Sequence, residues 1–504
     1  MSMVGTNTVC CEHSQSLSDL FGSIISTDSE MDRQITGIEL DSRCVGEGDL
    51  FVAMPGDVVD GRNYIAQAIN QGAAAVSYES SGYEGCVAEI LDDEVVMLPV
   101  ENLRANVSEI AARFFDHPSK KMKMIGVTGT NGKTTFSYLM AQAWELLGQK
   151  SGMMGTIGNG YPMKLQKSAL TTDNAIAIQG RLASFVCEQA ETVCMEVSSH
   201  GLSQDRVSGV EFDIAVFTNL SQDHLDYHLT LEKYGEEKAK LFAFPHLNLA
   251  VINADDEFGQ VLLQENTAKN SISYGLSIAD ISPINLCVDH QGIKFDVAWK
   301  GKMVQIRSSL IGLINVPNLL AVIACLVGCE VGLEEIGNAI KKLKPPPGRM
   351  EVFVSAAKNN STAKVVVDYA HTPDALKRAL SSLKHISDGE VMVVFGCGGD
   401  RDKGKRAQMG RVAEQFADQV IVTDDNPRTE SPQAIAEEIL SGMEVPSRVV
   451  HCRKKAIEIA MSCCDPNGFV LIAGKGHEDY QLTNDGVTEL SDRDIVKRAL
   501  ERME

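Results

Sequence analysis

The stretch Met124 to Thr135, MIGVTGTNGKTT, constrains this chain more than any other, because an apolar run enters a glycine-rich turn and leaves it through Lys133, Thr134 and Thr135 into the helix-forming sequence TTFSYLMAQAWELLG. A strand, a tight loop and a helix N-terminus must follow one another there. Gly129 and Gly132 carry no side chains, so backbone N–H groups of the loop, Thr130 and Asn131 included, can point at phosphate oxygens. Lys133 can reach terminal phosphates and the Thr134 hydroxyl can ligate Mg²⁺. The spacing departs from the strict G-x-x-x-x-G-K-[ST] form: Val127 occupies the first glycine position and Gly126 lies one residue earlier.

Around this loop, apolar strand-like runs alternate with helical patterns through the whole sequence, as in KMKMIGVTG before TTFSYLMAQAWELLG and EVMVVFGCGG before KRAQMGRVAEQFA. Such alternation predicts βα units and parallel sheets covered by helices, an α/β fold. At 504 residues the chain exceeds one ordinary core, and three domains are expected. Asp116 to Ser119 reads as a first boundary, and Lys344-Pro345-Pro346-Pro347-Gly348-Arg349 as a stiff second one, which divides the chain into 1–119, 120–346 and 347–504. Residues 266–310 read as short alternating strands, and Leu319 to Cys329 as a buried helix. The formal charge of −22 argues against nonspecific nucleic-acid binding, so anionic substrates must be held by local Lys, Arg and Mg²⁺. Thirteen cysteines, including the adjacent pairs Cys10/Cys11 and Cys463/Cys464, show no zinc-type C-x-x-C spacing and fit reduced thiols. With neither a signal-type N-terminus nor a membrane-length apolar run, the expectation is a soluble cytoplasmic protein without membrane partners.

Six further segments stand in order along the chain: MEVSSHGL (195–202), TNLSQDHLDYH (218–228), VDYAHTPD (367–374), GCGGDRDKGKR (396–406), DDNPR (424–428) and GKGHEDYQ (474–481). With TGTNGKTT they resemble the Mur ligases, which build the peptide of the bacterial cell wall, and their folylpolyglutamate synthetase relatives. The run 37–65, GIELDSRCVGEGDLFVAMPGDVVDGRNYI, looks like the uridine-nucleotide domain that folate ligases lack. The resemblance therefore implies an N-terminal uridine-nucleotide domain, a central ATPase domain and a C-terminal Rossmann-like domain. It also implies an ATP- and Mg²⁺-dependent amide ligase that phosphorylates a carboxylate and lets an amine displace the phosphate.

Site residues follow from the same resemblance. Gly129 to Thr135 would cradle ATP, with Asn315 and Asn318 in NVPN, Arg349, Asp368 and His371 as further nucleotide contacts; outside the family, an Asn-x-x-Asn pair is an ordinary capping or turn signal. Glu196, at the end of the apolar run ETVCMEV, also sits where open α/β sheets place ligands, and is a candidate Mg²⁺ ligand beside Thr134. His224 is implied as a ligand of a second Mg²⁺, although Mg²⁺ chemistry alone favours oxygen. Lys238 corresponds to a lysine that many Mur ligases carry N-carboxylated, with Lys240 as an alignment competitor. Ser42 and Arg43, with Asp60 and Gly61, would meet the uridine nucleotide; Thr171, Thr172, Ser198, Gln204 and Arg206 would hold the muramoyl dipeptide. A proline commonly follows the two threonines in the family, whereas here the sequence is TTDN.

Asp425-Asn426-Pro427-Arg428 matches the pattern associated with meso-diaminopimelate addition, which lysine-adding relatives usually lack. The chemistry agrees, since diaminopimelate differs from lysine by a second carboxylate that a guanidinium can bind bidentately. Arg401, Gly474 and Glu478 would complete the pocket, Glu478 facing an ammonium. The expected reaction joins meso-diaminopimelate to the γ-carboxylate of UDP-MurNAc-L-Ala-D-Glu, and a monomer is the expected state. Two competitors stand beside it: a lysine-adding ligase of the same family, and a P-loop regulatory ATPase that ligates nothing.

Overall fold

The computed structural model describes residues 13–25, 32–56, 59–83, 95–265, 267–354 and 364–503. Cys10, Cys11, Asp57 and Val58 lie outside them. Contacts divide the chain into two compact units, Met1–Ile252 with Asp256–Ile272, and Asn253–Asp255 with Ser273–Glu504.

In the first unit the strands Gly37–Glu39, Asp49–Ala53, Ala75–Glu79 and Val96–Val100 pair in parallel in sequence order. One face packs on the helix Leu103–Phe114 through Leu103, Val107, Ile110 and Phe114. A larger sheet follows in the order Lys164–Gln166, Gly158–Tyr161, Ser151–Gly155, Thr192–Glu196, Lys123–Thr128, Ile214–Phe217, Leu249–Asn253, Asn270–Tyr274. Its central strands are parallel and wholly buried, as the uninterrupted apolar runs require of strands covered on both faces. From Lys123–Thr128 the chain crosses to one side of the sheet, and from Ile214–Phe217 to the other. The connections diverge between these neighbours, and the carboxyl ends of strands at such a point are where open α/β sheets bind ligands.

In the second unit, Ile284–Asp289, Gly292–Trp299 and Lys302–Ser308 form an antiparallel sheet within the 266–310 stretch read as short alternating strands. The helix Asn315–Gly328 is buried along nearly its whole length, as its apolar composition demands. A six-stranded sheet runs Glu351–Phe353, Lys364–Asp368, Phe469–Ala473, Val391–Phe395, Gln419–Val422, Arg448–Val449, parallel except at the Glu351–Phe353 edge. The period of two is explicit at Val391–Phe395. Val391, Val393 and Phe395 face Leu376, Leu380 and Met409, whereas Met392 and Val394 face Ile457, Ala460 and Val496. Thr372 caps the helix Pro373–Ile386 by accepting from Ala375 N, with Pro373 at the first helical position, where its missing N–H costs nothing.

Two arginines lie fully buried in this unit. Arg406 donates to Glu430 and Glu438, at 2.8–2.9 Å, and to the Gly398 carbonyl. Arg453 donates to both oxygens of the equally buried Asp492, at 2.7 and 2.8 Å, and reaches the carbonyls of Asp424 at 3.3 Å and Ala473 at 2.9 Å. Arg453→Met strands an ionised Asp492 in the core and is expected to cost about 3–5 kcal/mol. The loss reads as a fall in thermal midpoint, and adding Asp492→Leu to the same chain should recover part of it. Independent, additive losses would contradict the pairing.

Candidate active site

The loop after Lys123–Thr128 is held by the segment after Ile214–Phe217 through a set of short bonds. Thr130 N donates to Asn219 O at 2.8 Å, Asn131 N to Asn219 Oδ1 at 3.0 Å, and Thr218 Oγ1 to Asn131 O at 2.6 Å. Gly129 has φ +142°, and a Cβ on it would fall 1.9 Å from Thr218 Oγ1, so the turn admits only glycine. Lys133 Nζ folds back onto the carbonyls of Gly129 at 2.7 Å and Thr130 at 3.0 Å. Lys238 Nζ donates to the same Gly129 carbonyl at 3.1 Å from a site only 1% exposed.

Glu196 ends its strand completely buried, and its carboxylate collects Thr134 Oγ1 at 2.9 Å, Thr156 N at 2.9 Å and Thr156 Oγ1 at 3.1 Å. A Cβ on Gly155 would strike it at 2.1 Å. Next to it, Thr156 Oγ1 lies 3.0 Å from Thr171 Oγ1, and Thr172 Oγ1 donates to Glu196 O while accepting from Ser198 N. Arg206 donates to Thr172 O at 2.7 Å and twice to Gln204 Oε1. Ser198 caps the helix Ser199–Ser203 through its hydroxyl. The TTDN turn is ordered by its own residues: Asp173 accepts from Asn159 Nδ2 and Ser168 Oγ, and Asn174 caps the helix Ala175–Cys187.

His224 has a left-handed φ of +52° and packs its ring 4.9 Å from that of His200. Burial lowers the pKa of His224, opposed by Asp223. Burial, then the charge of Lys133, drives Lys238 well below the usual lysine range, opposed by Asp223. Two lysines converging on one carbonyl, beside a buried hydroxyl–carboxylate pair, suit a polyphosphate with Mg²⁺, which takes oxygen ligands and few protein side chains. No group of three or more His, Cys, Asp and Glu forms a cage among the described residues.

The second unit carries another cluster at the carboxyl ends of Gln419–Val422 and Phe469–Ala473. Arg428, with φ +52°, donates to Gly399 O at 2.7 Å, and its own N–H is taken by Leu482 O. Asn426 Nδ2 donates to Glu478 Oε2 at 3.0 Å. Gly474 has φ +114°, and a Cβ there would lie 2.6 Å from Asp425 Oδ2. Arg401 stands exposed beside this cluster's glycine loop. Elsewhere in this unit the Arg349 guanidinium lies 4.3 Å over the Tyr369 ring, and Tyr369 packs on His371. Asp368, whose carboxyl is pushed up by burial, accepts from Met350 N and Ala370 N. Asn315 and Asn318 are buried on their helix, donating to the carbonyls of Ile311 and Ile314.

Three family models match the chain: the Mur ligase family catalytic domain over 34–115, the Mur ligase middle domain over 127–326, and the Mur ligase glutamate ligase domain over 348–476. The UDP-N-acetylmuramoyl-L-alanyl-D-glutamate–2,6-diaminopimelate ligase of Ectopseudomonas mendocina is 46% identical over 89% of this chain and 91% of its own. That of Pseudomonas putida is 44% identical over 93% and 95%. This chain belongs to the Mur ligase family. A solved structure of a ligase with the same name, 33% identical, superposes with a TM-score of 0.70 over 97% of this chain and 99% of that one.

In this Mur ligase the expected residues gather in separate neighbourhoods: Lys133, Thr134, Glu196 and Lys238 at the loop; Thr171, Thr172, Ser198, Gln204 and Arg206 beside it; and Asp425, Asn426, Arg428, Gly474 and Glu478 in the second unit. Sequence reasoning missed Thr156, which donates to Glu196 through both its N–H and its hydroxyl, and Asn219, which holds the loop. Asn219 stood within the quoted TNLSQDHLDYH; Thr156 had no signal beyond its place among glycines. Among the residues expected to meet the uridine nucleotide, Ser42 is 6% exposed and donates to Gln67 Oε1 at 3.0 Å, Arg43 pairs with Asp41, and Asp60 pairs with Arg62. Nearby, burial and then the charges of Asp49 and Asp41 push the Glu39 carboxyl up to about 7. The folded protein therefore holds that proton more tightly than the unfolded chain. The stability it contributes is full below pH ~4.3 and is lost as pH rises through about 7. Glu39→Gln removes this dependence, so the thermal midpoint of the variant relative to the native chain should rise between pH 5 and pH 8. A constant difference across that range would refute it.

Proposed function

We propose that this Mur ligase adds meso-diaminopimelate to the D-glutamate γ-carboxylate of UDP-MurNAc-L-Ala-D-Glu at the expense of ATP, a step of peptidoglycan precursor synthesis. The observation that carries the choice of amino acid is the pairing, in one cluster, of a guanidinium with a carboxylate. Arg428 is fixed at Gly399 O, and Glu478 is fixed by Asn426. Arg428 takes the distal carboxylate that L-lysine lacks, and Glu478 takes an ammonium. The identically named relatives support the same reading.

In this reading residues 1–119 take the uridine nucleotide, 120–346 take ATP, and 347–504 take the amino acid. Ser42, Arg43, Asp60 and Gly61 serve the first. Gly129 to Thr135 aim N–H groups at the polyphosphate while Lys133 neutralises it, and Asn315, Asn318, Arg349, Asp368 and His371 take the nucleoside. Thr134 and Glu196 would hold one Mg²⁺, and His224 with an N-carboxylated Lys238 a second. Bound there, Mg²⁺ supplies positive charge for the phosphoryl group in flight. Thr171, Thr172, Ser198, Gln204 and Arg206 orient the dipeptide so that its carboxylate meets the γ-phosphate and ADP leaves. The amine of diaminopimelate then attacks the acyl phosphate, the C–O bond to phosphate breaks, and the amine gives up a proton as the amide forms.

Burial favours the uncharged form of the Lys238 amine, the form that adds CO₂ with loss of a proton, and the carboxylate so formed would supply oxygen ligands to a metal beside Lys133. Intact mass under non-acidic conditions should carry one CO₂ more than the sequence, and Lys238→Arg should lose both that mass and most of the activity. The enzyme is cytoplasmic and monomeric in the same reading; among the described residues no helix is long and apolar enough to cross a membrane.

The deciding experiment measures phosphate release with ATP, Mg²⁺ and UDP-MurNAc-L-Ala-D-Glu in the presence of meso-diaminopimelate, L-lysine or no amine, with product mass. Release coupled to the diaminopimelate product is expected. Release with lysine alone would transfer the assignment to the lysine-adding ligases, and amine-independent hydrolysis to a regulatory ATPase. Arg428→Ala should lower kcat/KM for diaminopimelate roughly ten- to hundredfold and leave the KM for ATP unchanged.

A further inference from the structure

Lys475 is 0% exposed, yet it lies among the groups assigned to the amino acid. Its ammonium donates to Asn426 Oδ1 at 3.0 Å and to Glu478 Oε2 at 3.1 Å, and lies 5.4 Å from the centre of the Tyr480 ring. Glu478 Oε2 thus receives two donors, Lys475 Nζ and Asn426 Nδ2, while Glu478 Oε1 accepts none among the described residues. Asn426 is fixed from the other side as well, because its Oδ1 takes both Lys475 Nζ and Leu482 N, at 3.0 Å each. The amide can therefore present only its NH₂ to the carboxylate.

Taking the diaminopimelate reading as given, we propose that Lys475 is a positioning residue for amine recognition: with Asn426 it locks one oxygen of Glu478, leaving the other oxygen as the acceptor for the substrate ammonium. Lys475 does not occupy the acceptor oxygen, since its two bonds run to Glu478 Oε2 and to Asn426 Oδ1, and Asn426 in turn holds the same Oε2.

The test is a double-mutant cycle on the full-length enzyme with Lys475→Met, Glu478→Gln and the pair, run with whichever amine the native enzyme ligates. Lys475→Met should raise the KM for the amine roughly tenfold or more with the KM for ATP unchanged. In the Glu478→Gln background the same substitution should change that KM by less than about twofold. Additive effects, or an equal rise in the KM for ATP, would overturn the proposal. Should Lys475→Met fail to fold, Lys475→Arg carries the test, because a planar guanidinium cannot hold Glu478 Oε2 and Asn426 Oδ1 as the ammonium does; it should raise the KM for the amine alone, and an equal rise in the Glu478→Gln background would overturn the proposal. Ligation of L-lysine by the native enzyme would refute the substrate assignment while leaving the cycle readable.

Discussion

A carboxylate at the end of a fully buried strand is tolerable only when donors surround it, and Glu196 shows what that requirement imposes on its neighbourhood. Three hydrogen bonds from Thr134 and Thr156 take the place of water, so the first turn of the loop helix and the turn after Ser151–Gly155 are tied to one point. Gly155 must lack a side chain for the carboxylate to fit. The Glu196 carbonyl in turn receives Thr172, whose hydroxyl also accepts from Ser198 N, which places the proposed dipeptide residues at hydrogen-bond range of the proposed metal site. Thr134 spends its hydroxyl on Glu196 in this state, so a metal ion entering there would replace that bond with two oxygen ligands already in place.

The second unit solves the same problem with cations. Loops at the carboxyl end of a parallel sheet leave carbonyls pointing into partly dry space, and such groups need donors. Arg453 gathers the carbonyls just before Asp425 and just before Gly474, so the two segments that carry the proposed amino-acid contacts start from one guanidinium. Arg406 does the same for the Gly398 carbonyl and the Glu430 turn that follows Arg428. Bidentate geometry explains why arginine, and not lysine, holds these positions. Lys475, with two acceptors at different angles, suits a flexible point charge instead.

The sheets and their loops were legible because their signals are local. Uninterrupted apolar runs mark strands such as Lys123–Thr128, a glycine turn followed by Lys133 marks the phosphate loop, and Thr372-Pro373 marks a helix start. Motif order carried the rest of the site, from Glu196 to Glu478. What stayed hidden depends on partners far along the chain. Thr156 meets a carboxylate 40 residues away, and Asn219 meets a loop 88 residues away. Arg406 and Arg453 sit in helices whose sequences, GKRAQMGRVAEQF and RKKAIEIAMSC, read as solvent-facing charge, yet both side chains are fully buried. No periodicity distinguishes a helical arginine that finds a buried carboxylate from one that faces water.

The chain's charge of −22 and its proposed anionic substrates are reconciled by range. At physiological ionic strength the Debye length is about 8 Å, so surface acids contribute little inside a pocket several such lengths from most of them. Within the pocket, Lys133 and Lys238 stand on one carbonyl with Asp223 as the acid that supports Lys238. In the proposed reading an N-carboxylated Lys238 would bring negative charge to the loop and a divalent ion would balance it, so the phosphates would meet metal and Lys133 together, and the loop's affinity for a polyphosphate would depend on the metal.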